Sequence, residues 1–155
     1  MRFDKLTIKA QESIGRAQEV AQRYDHSEIL PLHLLAALLA EEGGVVRPLL
    51  QKLGANLGQI VQAVQDKIER LPKATGSQLG MHRSVQDVMT HAQKEADRLK
   101  DEYVSTEHLL LALAEVKSEA KEILAANAVT HDGILNALKD VRGGQRVTDQ
   151  DPEAK

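Results

Sequence analysis

Cysteine is absent from this 155-residue chain, and so is tryptophan; Phe3 and two tyrosines are its only aromatic residues. The missing thiols exclude disulfides, thiolate metal sites and cysteine nucleophiles together, and they fit a reducing compartment. With aromatics at 2%, the stacking platforms that a single-strand nucleic-acid binder uses are lacking. A formal net charge of −3 is too near neutral to mark a nucleic-acid or membrane surface. No apolar run approaches bilayer length. The opening Met1-Arg2-Phe3-Asp4-Lys5-Leu6-Thr7 has no apolar core of a signal peptide. The expectation is therefore a cytoplasmic protein with no nucleic-acid and no membrane partner.

Catalytic signatures are scarce as well. There is no Gly-Lys pair, so the glycine-rich turn and lysine that surround a nucleotide's phosphates cannot be built. No Gly-x-Ser-x-Gly motif offers a serine nucleophile. The six histidines include no His-x-x-x-His pair, and zinc needs at least three convergent ligands. They read as structural or surface residues, and no metal and no cofactor are expected in this chain. Glu107-His108 invites an acid/base reading, but a helix start explains the pair more simply.

What is present is a repeat. Ile29 to Leu38 aligns with Val104 to Leu113 at an offset of 75, and His33, Leu34, Leu35, Ala37 and Leu38 recur as His108, Leu109, Leu110, Ala112 and Leu113. The same offset pairs Ala17 with Ala92, Gln18 with Gln93, Ala21 with Ala96 and Arg23 with Arg98. Farther on, an offset of 74 pairs Leu50 with Leu124, Ile60 with Ile134 and Ala63 with Ala137. Ordered matches through a whole half point to duplication with one residue deleted. At 42% hydrophobic and 28% charged, the chain has the balance of one globular domain.

Each half reads as four helices. The first runs from about Ile8 to Tyr24, with Thr7 as N-cap and a stripe of Ile14, Ala17, Ala21 and Tyr24. Its repeat runs from about Val85 to Glu102, with Ser84 as N-cap and Val85, Val88, Met89, Ala92, Ala96 and Leu99 on one face. The second helix starts at Pro31 and stops at Gly43-Gly44; its counterpart starts after Ser105. A short third helix stops at Gly54. The fourth is capped by Asn56 and buries Ile60, Val64, Ile68 and Leu71. Its counterpart carries Ile134, Leu135, Leu138 and Val141 and stops at Gly143-Gly144. The expected fold is all-α: two pseudo-symmetric four-helix repeats in one compact domain, with no sheet. Repeat one covers about 1–71, a connecting loop 72–80, and repeat two about 81–144. Residues 145–155 are polar and aperiodic and read as a flexible, mobile linker. Leu109-Leu110-Leu111 is wider than one helix stripe, so one of the three is expected to face a groove or the other half.

These features together resemble the Clp amino-terminal (Clp N) domain family. The paired His-Leu-Leu-x-Ala-Leu segments carry the likeness. Three further stretches resemble its ClpB branch, the Hsp100 disaggregases of the AAA+ class: Phe3-Asp4-Lys5-Leu6-Thr7, Leu38 to Gly44 followed by Pro48-Leu49-Leu50, and Arg142 to Val147. The resemblance implies a non-catalytic domain that binds exposed apolar segments of unfolded or aggregated client proteins and passes them to an AAA+ ring. It implies a parent homo-hexamer that uses ATP and Mg in modules absent from this chain and works with the Hsp70 (DnaK) system. The isolated domain would be monomeric. By the same resemblance Thr7, Asp101 and Glu107 match polar positions near the client-binding surface. Met89, reading first as core, suits promiscuous apolar binding too, and His108 and Leu111 complete the candidate set. The alternative is a docking domain for adaptor proteins, as in the ClpA and ClpC branches.

Overall fold

Helix boundaries follow the repeat almost residue for residue. The computed structural model describes residues 3–76, 78–143, 146–148 and 150. Among these, a 3₁₀ turn at Phe3–Lys5 precedes eight α-helices. In the first half they are α1 (Ile8–Arg23), α2 (Pro31–Ala40), α3 (Val46–Lys52) and α4 (Leu57–Arg70). In the second they are α5 (Arg83–Arg98), α6 (Thr106–Glu115), α7 (Glu119–Ala126) and α8 (His131–Arg142). Both ends of α1 and α5 lie 75 residues apart, as do both ends of α2 and α6; α4 and α8 begin 74 apart. Backbone singularities repeat as well. Asp25 and Lys100 are both left-handed at φ 57° and 61°, and Gly54 and Ala128 match at 79° and 60°.

Capping explains where the helices start. Thr7 accepts from the Ala10 N–H at 3.2 Å, as expected, and Asn56 caps α4 through the Gln59 N–H. Three boundaries differ from the sequence reading, one of them the end of α5, at Arg98 rather than about Glu102, with Lys100 already left-handed. Helix α5 begins two residues early, capped by His82 rather than Ser84, because the His82 ring accepts from the Ser84 N–H at 3.1 Å. Position 82 is also the repeat partner of Thr7, so the two caps are equivalent. Helix α2 ends at Ala40 instead of running to Gly43, since Glu41 already turns to an extended conformation.

The expected absence of sheet needs a correction. Glu28–Ile29 (β1) pairs in parallel with Gly80–Met81 (β2), Ile29 opposite Met81, and Leu6 forms a separate parallel bridge with Val104. Adding 75 to Leu6 gives Met81, and subtracting it from Val104 gives Ile29. The two pairings are thus one interaction made twice. In each, the residues before the first helix of one half bond to those before the second helix of the other. Backbone groups in these short lead-ins have no helical partner, and crossing to the other half satisfies them.

The core sits on α2 and α6. Helix α6 packs against α5, α7 and α8 of its own half and α1, α2 and α3 of the other. That surrounds it, which accounts for the wide apolar run: Leu109, Leu110 and Leu111 are all fully buried, and none of them faces an open groove.

Candidate functional site

Asp101 is where several candidate residues meet. It follows the left-handed Lys100 at the end of α5, a turn that aims its carboxylate inward. Its Oδ2 accepts from His108 Nε2 at 2.6 Å and from an Arg142 guanidinium nitrogen at 2.7 Å, and its Oδ1 accepts from the Val147 N–H at 2.7 Å. Burial by itself pushes this carboxyl up. The bonds from His108, Val147 and Arg142 outweigh it and hold Asp101 below the usual carboxylate range. The second guanidinium nitrogen of Arg142 lies 3.4 Å from Glu107 Oε2. The Ser105 N–H donates to His108 Nδ1 at 2.8 Å, so Nδ1 is the acceptor and Nε2 carries the proton toward Asp101.

Ser105, His108 and Asp101 therefore stand in a hydrogen-bonded row, with Ser105 Oγ 2.9 Å from His108 Nδ1. The order resembles a hydrolytic triad, but Ser105 and His108 are wholly buried and Asp101 nearly so. No substrate carbonyl reaches that hydroxyl. The row ties the end of α5 to the start of α6, and Arg142 adds the end of α8.

Of the six candidate residues, the structure gathers Asp101, Glu107 and His108 into this one network. Thr7 is fully buried; its side chain caps α1, and its backbone N–H bonds to the Val104 carbonyl at 2.9 Å. Leu111 is core. Met89 is the exception. It is half-buried on α5 and lines a groove of about 320 Å³ between α1 and α5, with Ile14, Val85 and the exposed side chains of Phe3 and Met81. Gln86 and Thr90 supply neutral polar edges. Ile14 and Met89 are repeat partners, so the groove lies along the local two-fold relation and presents like faces of α1 and α5. Of the expected α1 stripe, Ala17 and Ala21 are buried, together with Ala10 and Ser13, while Ile14 and Tyr24 are only partly covered. Met81 and Phe3 lie outside the helices and carry no periodicity that would have marked them.

The first half holds the counterpart of the Asp101 network. His33, the partner of His108, accepts from the Leu30 N–H through Nδ1 at 2.9 Å, and its Nε2 lies 2.8 Å from His26 Nδ1. His26 occupies the position of Asp101. Burial and the nearby His26 push His33 down to about 4. His26 is also lowered, by burial first; the Ile68 carbonyl and Asp25 oppose the shift and Lys73 adds to it. Among the described residues, no group of three or more histidine and acidic side chains could hold a metal ion.

The comparisons with known proteins agree with this architecture. The family model of the Clp repeat (R) N-terminal domain matches residues 5–127. The chaperone protein ClpB of Bacillus cereus is 37% identical over 99% of this chain, and that of Corynebacterium glutamicum 38% over 96%. In both, the match covers 18% of the relative, so the chain spans under a fifth of the length of the curated relatives it matches. Among solved structures, the Hsp104 N-terminal domain of Candida albicans aligns with a TM-score of 0.83 at 27% identity, covering 94% of this chain and 97% of that one. A ClpV N-domain solved with a VipB peptide shares the fold, with a TM-score of 0.74 at 16% identity over 94% of this chain and 91% of that one.

Proposed function

Because this chain belongs to the Clp repeat N-terminal domain family, and its relatives make it a ClpB-type N-terminal domain, we propose that it captures exposed apolar segments of unfolded or aggregated proteins and delivers them to an AAA+ ring. The observation that carries this reading is the groove between α1 and α5. It sets exposed Phe3 and Met81 beside half-buried Ile14 and Met89, whereas the other exposed large apolar residues, Ile8, Val61 and Val141, line no part of it. Two of its lining residues are methionines, whose flexible thioether chains adapt to varied apolar partners. The parent would be a homo-hexameric, cytoplasmic ATPase that uses ATP and Mg in its other modules and works with the Hsp70 (DnaK) system. The isolated domain would be a monomer.

The proposal relocates the client contact. Met89 stays in the binding surface, while Thr7, Asp101, Glu107 and His108 support it from within and Leu111 packs the core. Two or three client side chains, each worth roughly 1.5–3 kcal/mol when fully buried, must offset several kcal/mol of association and ordering. The net affinity is weak, on the order of micromolar to millimolar, which lets a client be released. A ring would compensate by presenting several copies.

The test is titration of a permanently unfolded, apolar-rich polypeptide against the wild-type chain and Met89→Glu, with helicity checked in both. Binding by the wild type and a loss of about tenfold or more in the variant support client capture. Equal binding by both removes the groove from the reading. No binding to any unfolded chain, with binding to a folded adaptor, transfers the function to adaptor docking.

A further inference from the structure

The tail beyond α8 reads from sequence as a flexible linker, yet two of its described residues are bonded into the domain. Val147 is 8% exposed. Its N–H donates to buried Asp101 Oδ1 at 2.7 Å, and its carbonyl accepts from the Glu102 N–H at 2.7 Å. The Gln150 carbonyl accepts from the Ile8 N–H at 2.8 Å, and its side-chain amide reaches the Leu6 carbonyl at 3.3 Å. Ile8 is the first residue of α1, and its amide has no acceptor within the helix. The tail supplies one. Residues 144, 145, 149 and 151–155 lie outside the described residues.

The repeat explains this path. At the offset of 74, the partner of Val147 is Lys73, three residues past the end of α4 where Val147 is five past the end of α8. Lys73 lies near His26, the partner of Asp101. In the first half the chain continues from there through Ala74, whose N–H bonds to the Asp25 carbonyl at 2.8 Å, into β2. The tail, like the connector, runs from the last helix of its half to the lead-in of a first helix, the connector to Met81 and the tail to Leu6 and Ile8. The connector is held by covalent chain at both ends, whereas the tail is held at one end by α8 and otherwise by hydrogen bonds and one buried valine.

We infer that Val147 and Gln150 form a releasable strap, fastened to Asp101 and to the start of α1, that sets the length of chain between this domain and whatever follows it. Gln150 lies seven positions beyond Gly143, the C-cap of α8, so release lengthens the tether by up to about 25 Å at roughly 3.3–3.6 Å per residue. The same Asp101 that joins α5, α6 and α8 is the first fastening, and Gln150 carries the tether's exit across to the start of α1. The tether's role rests on the reading of this chain as the N-terminal part of a longer protein. The strap itself does not.

The experiment is amide hydrogen exchange on the whole chain, wild type against Val147→Pro. Proline removes the N–H that Asp101 accepts and leaves every side chain of the Asp101 network in place. In the wild type, Ile8 and Glu102 should be protected although neither donates within a helix. In the variant both should exchange at least tenfold faster while amides inside α1 and α6 hold their rates. A second readout uses the absence of native cysteine: spin labels at Arg70→Cys and Lys155→Cys should give a longer, broader distance distribution in the variant. Unprotected Ile8 and Glu102 in the wild type overturn the strap, as does protection that survives Val147→Pro. Client titration is unaffected by either result, so failure here is distinct from failure of the groove.

Discussion

Asp101 and His26 hold the same place in the two halves, 75 residues apart, and each faces the Nε2 of a buried histidine, at 2.6 Å for Asp101 with His108 and 2.8 Å for His26 with His33. One partner is a carboxylate, which accepts a hydrogen bond from Nε2. The other is an imidazole, which gains a like charge if both protonate. Arg142 completes the charge balance around Asp101. Its counterpart, Ile68, offers His26 only a backbone carbonyl in place of a guanidinium. The duplicated halves therefore differ in how they respond to acid.

The first half should be the acid-sensitive one. Unfolded histidines protonate near pH 6.5, whereas His33 folded does so only at about 4. Between those values the unfolded state binds more protons, so stability is full above about pH 6.5 and falls as pH drops toward 4. The loss from His33 is on the order of 2–4 kcal/mol. His26→Asp should recover more than half of it by giving His33 the partner that His108 has. Urea unfolding at pH 7, 5.5 and 4.5 measures both chains, and identical slopes for the two would disprove the assignment.

Removing Asp101 should damage the fold rather than only a surface. Asp101→Ala strands the buried Arg142 and His108 donors and the Val147 amide, a loss of about 3–5 kcal/mol by analogy with broken buried ion pairs. Arg142→Ala should cost less, because His108 and Val147 still satisfy Asp101. If urea unfolding shows Asp101→Ala within about 1 kcal/mol of wild type, the network carries no structural weight.

The duplication, the eight helices and the caps Thr7, Asn56 and Ser105 were legible because they rest on local rules: spacing of apolar residues, and side chains that cap the next turn. What lay beyond those rules came from contacts between the halves. Thr7, Asp101 and Glu107 look like surface residues because each is polar and near a helix end. They are buried because Leu6 pairs with Val104 and brings the start of α1 over the start of α6. Leu111 looked like a groove residue because an isolated helix cannot bury so wide a face, but α6 is enclosed by neighbours from both halves. Val147 was invisible to periodicity, since a single apolar residue in a polar tail has no pattern.

Leu111→Ala and Met89→Ala should separate core from groove. Leu111 is fully buried, and truncating it should cost about 2–5 kcal/mol of stability. Met89 is only half-buried, so its truncation should cost under about 1.5 kcal/mol in stability while weakening client binding severalfold. Thermal unfolding with binding measured well below each midpoint gives both numbers. A larger stability loss for Met89→Ala than for Leu111→Ala would reverse the assignment.

Salt should leave client binding nearly unchanged. The groove is lined by Phe3, Ile14, Met81, Val85 and Met89 with neutral Gln86 and Thr90, so no lining side chain carries a formal charge. Apolar burial does not depend on screening, whereas attraction between exposed charges fades as the Debye length shrinks from about 10 Å at 0.1 M to about 3 Å at 1 M. The Kd for an unfolded polypeptide without net charge should therefore shift by less than about twofold across that range. Because Ile14 and Met89 are repeat partners on facing helices, Ile14→Ala and Met89→Ala should weaken binding by similar factors, about three- to tenfold each at roughly 1 kcal/mol of lost burial. The contrast is a second concavity beside Lys5, Asp97, Asp101 and Glu102, whose lining is largely charged. Clients seated there would bind with steep salt dependence and would ignore both substitutions. Fluorescence titrations of wild type and the two variants at low and high salt distinguish these sites. A Kd that rises tenfold with salt and is the same in all three chains would place the client on the charged side.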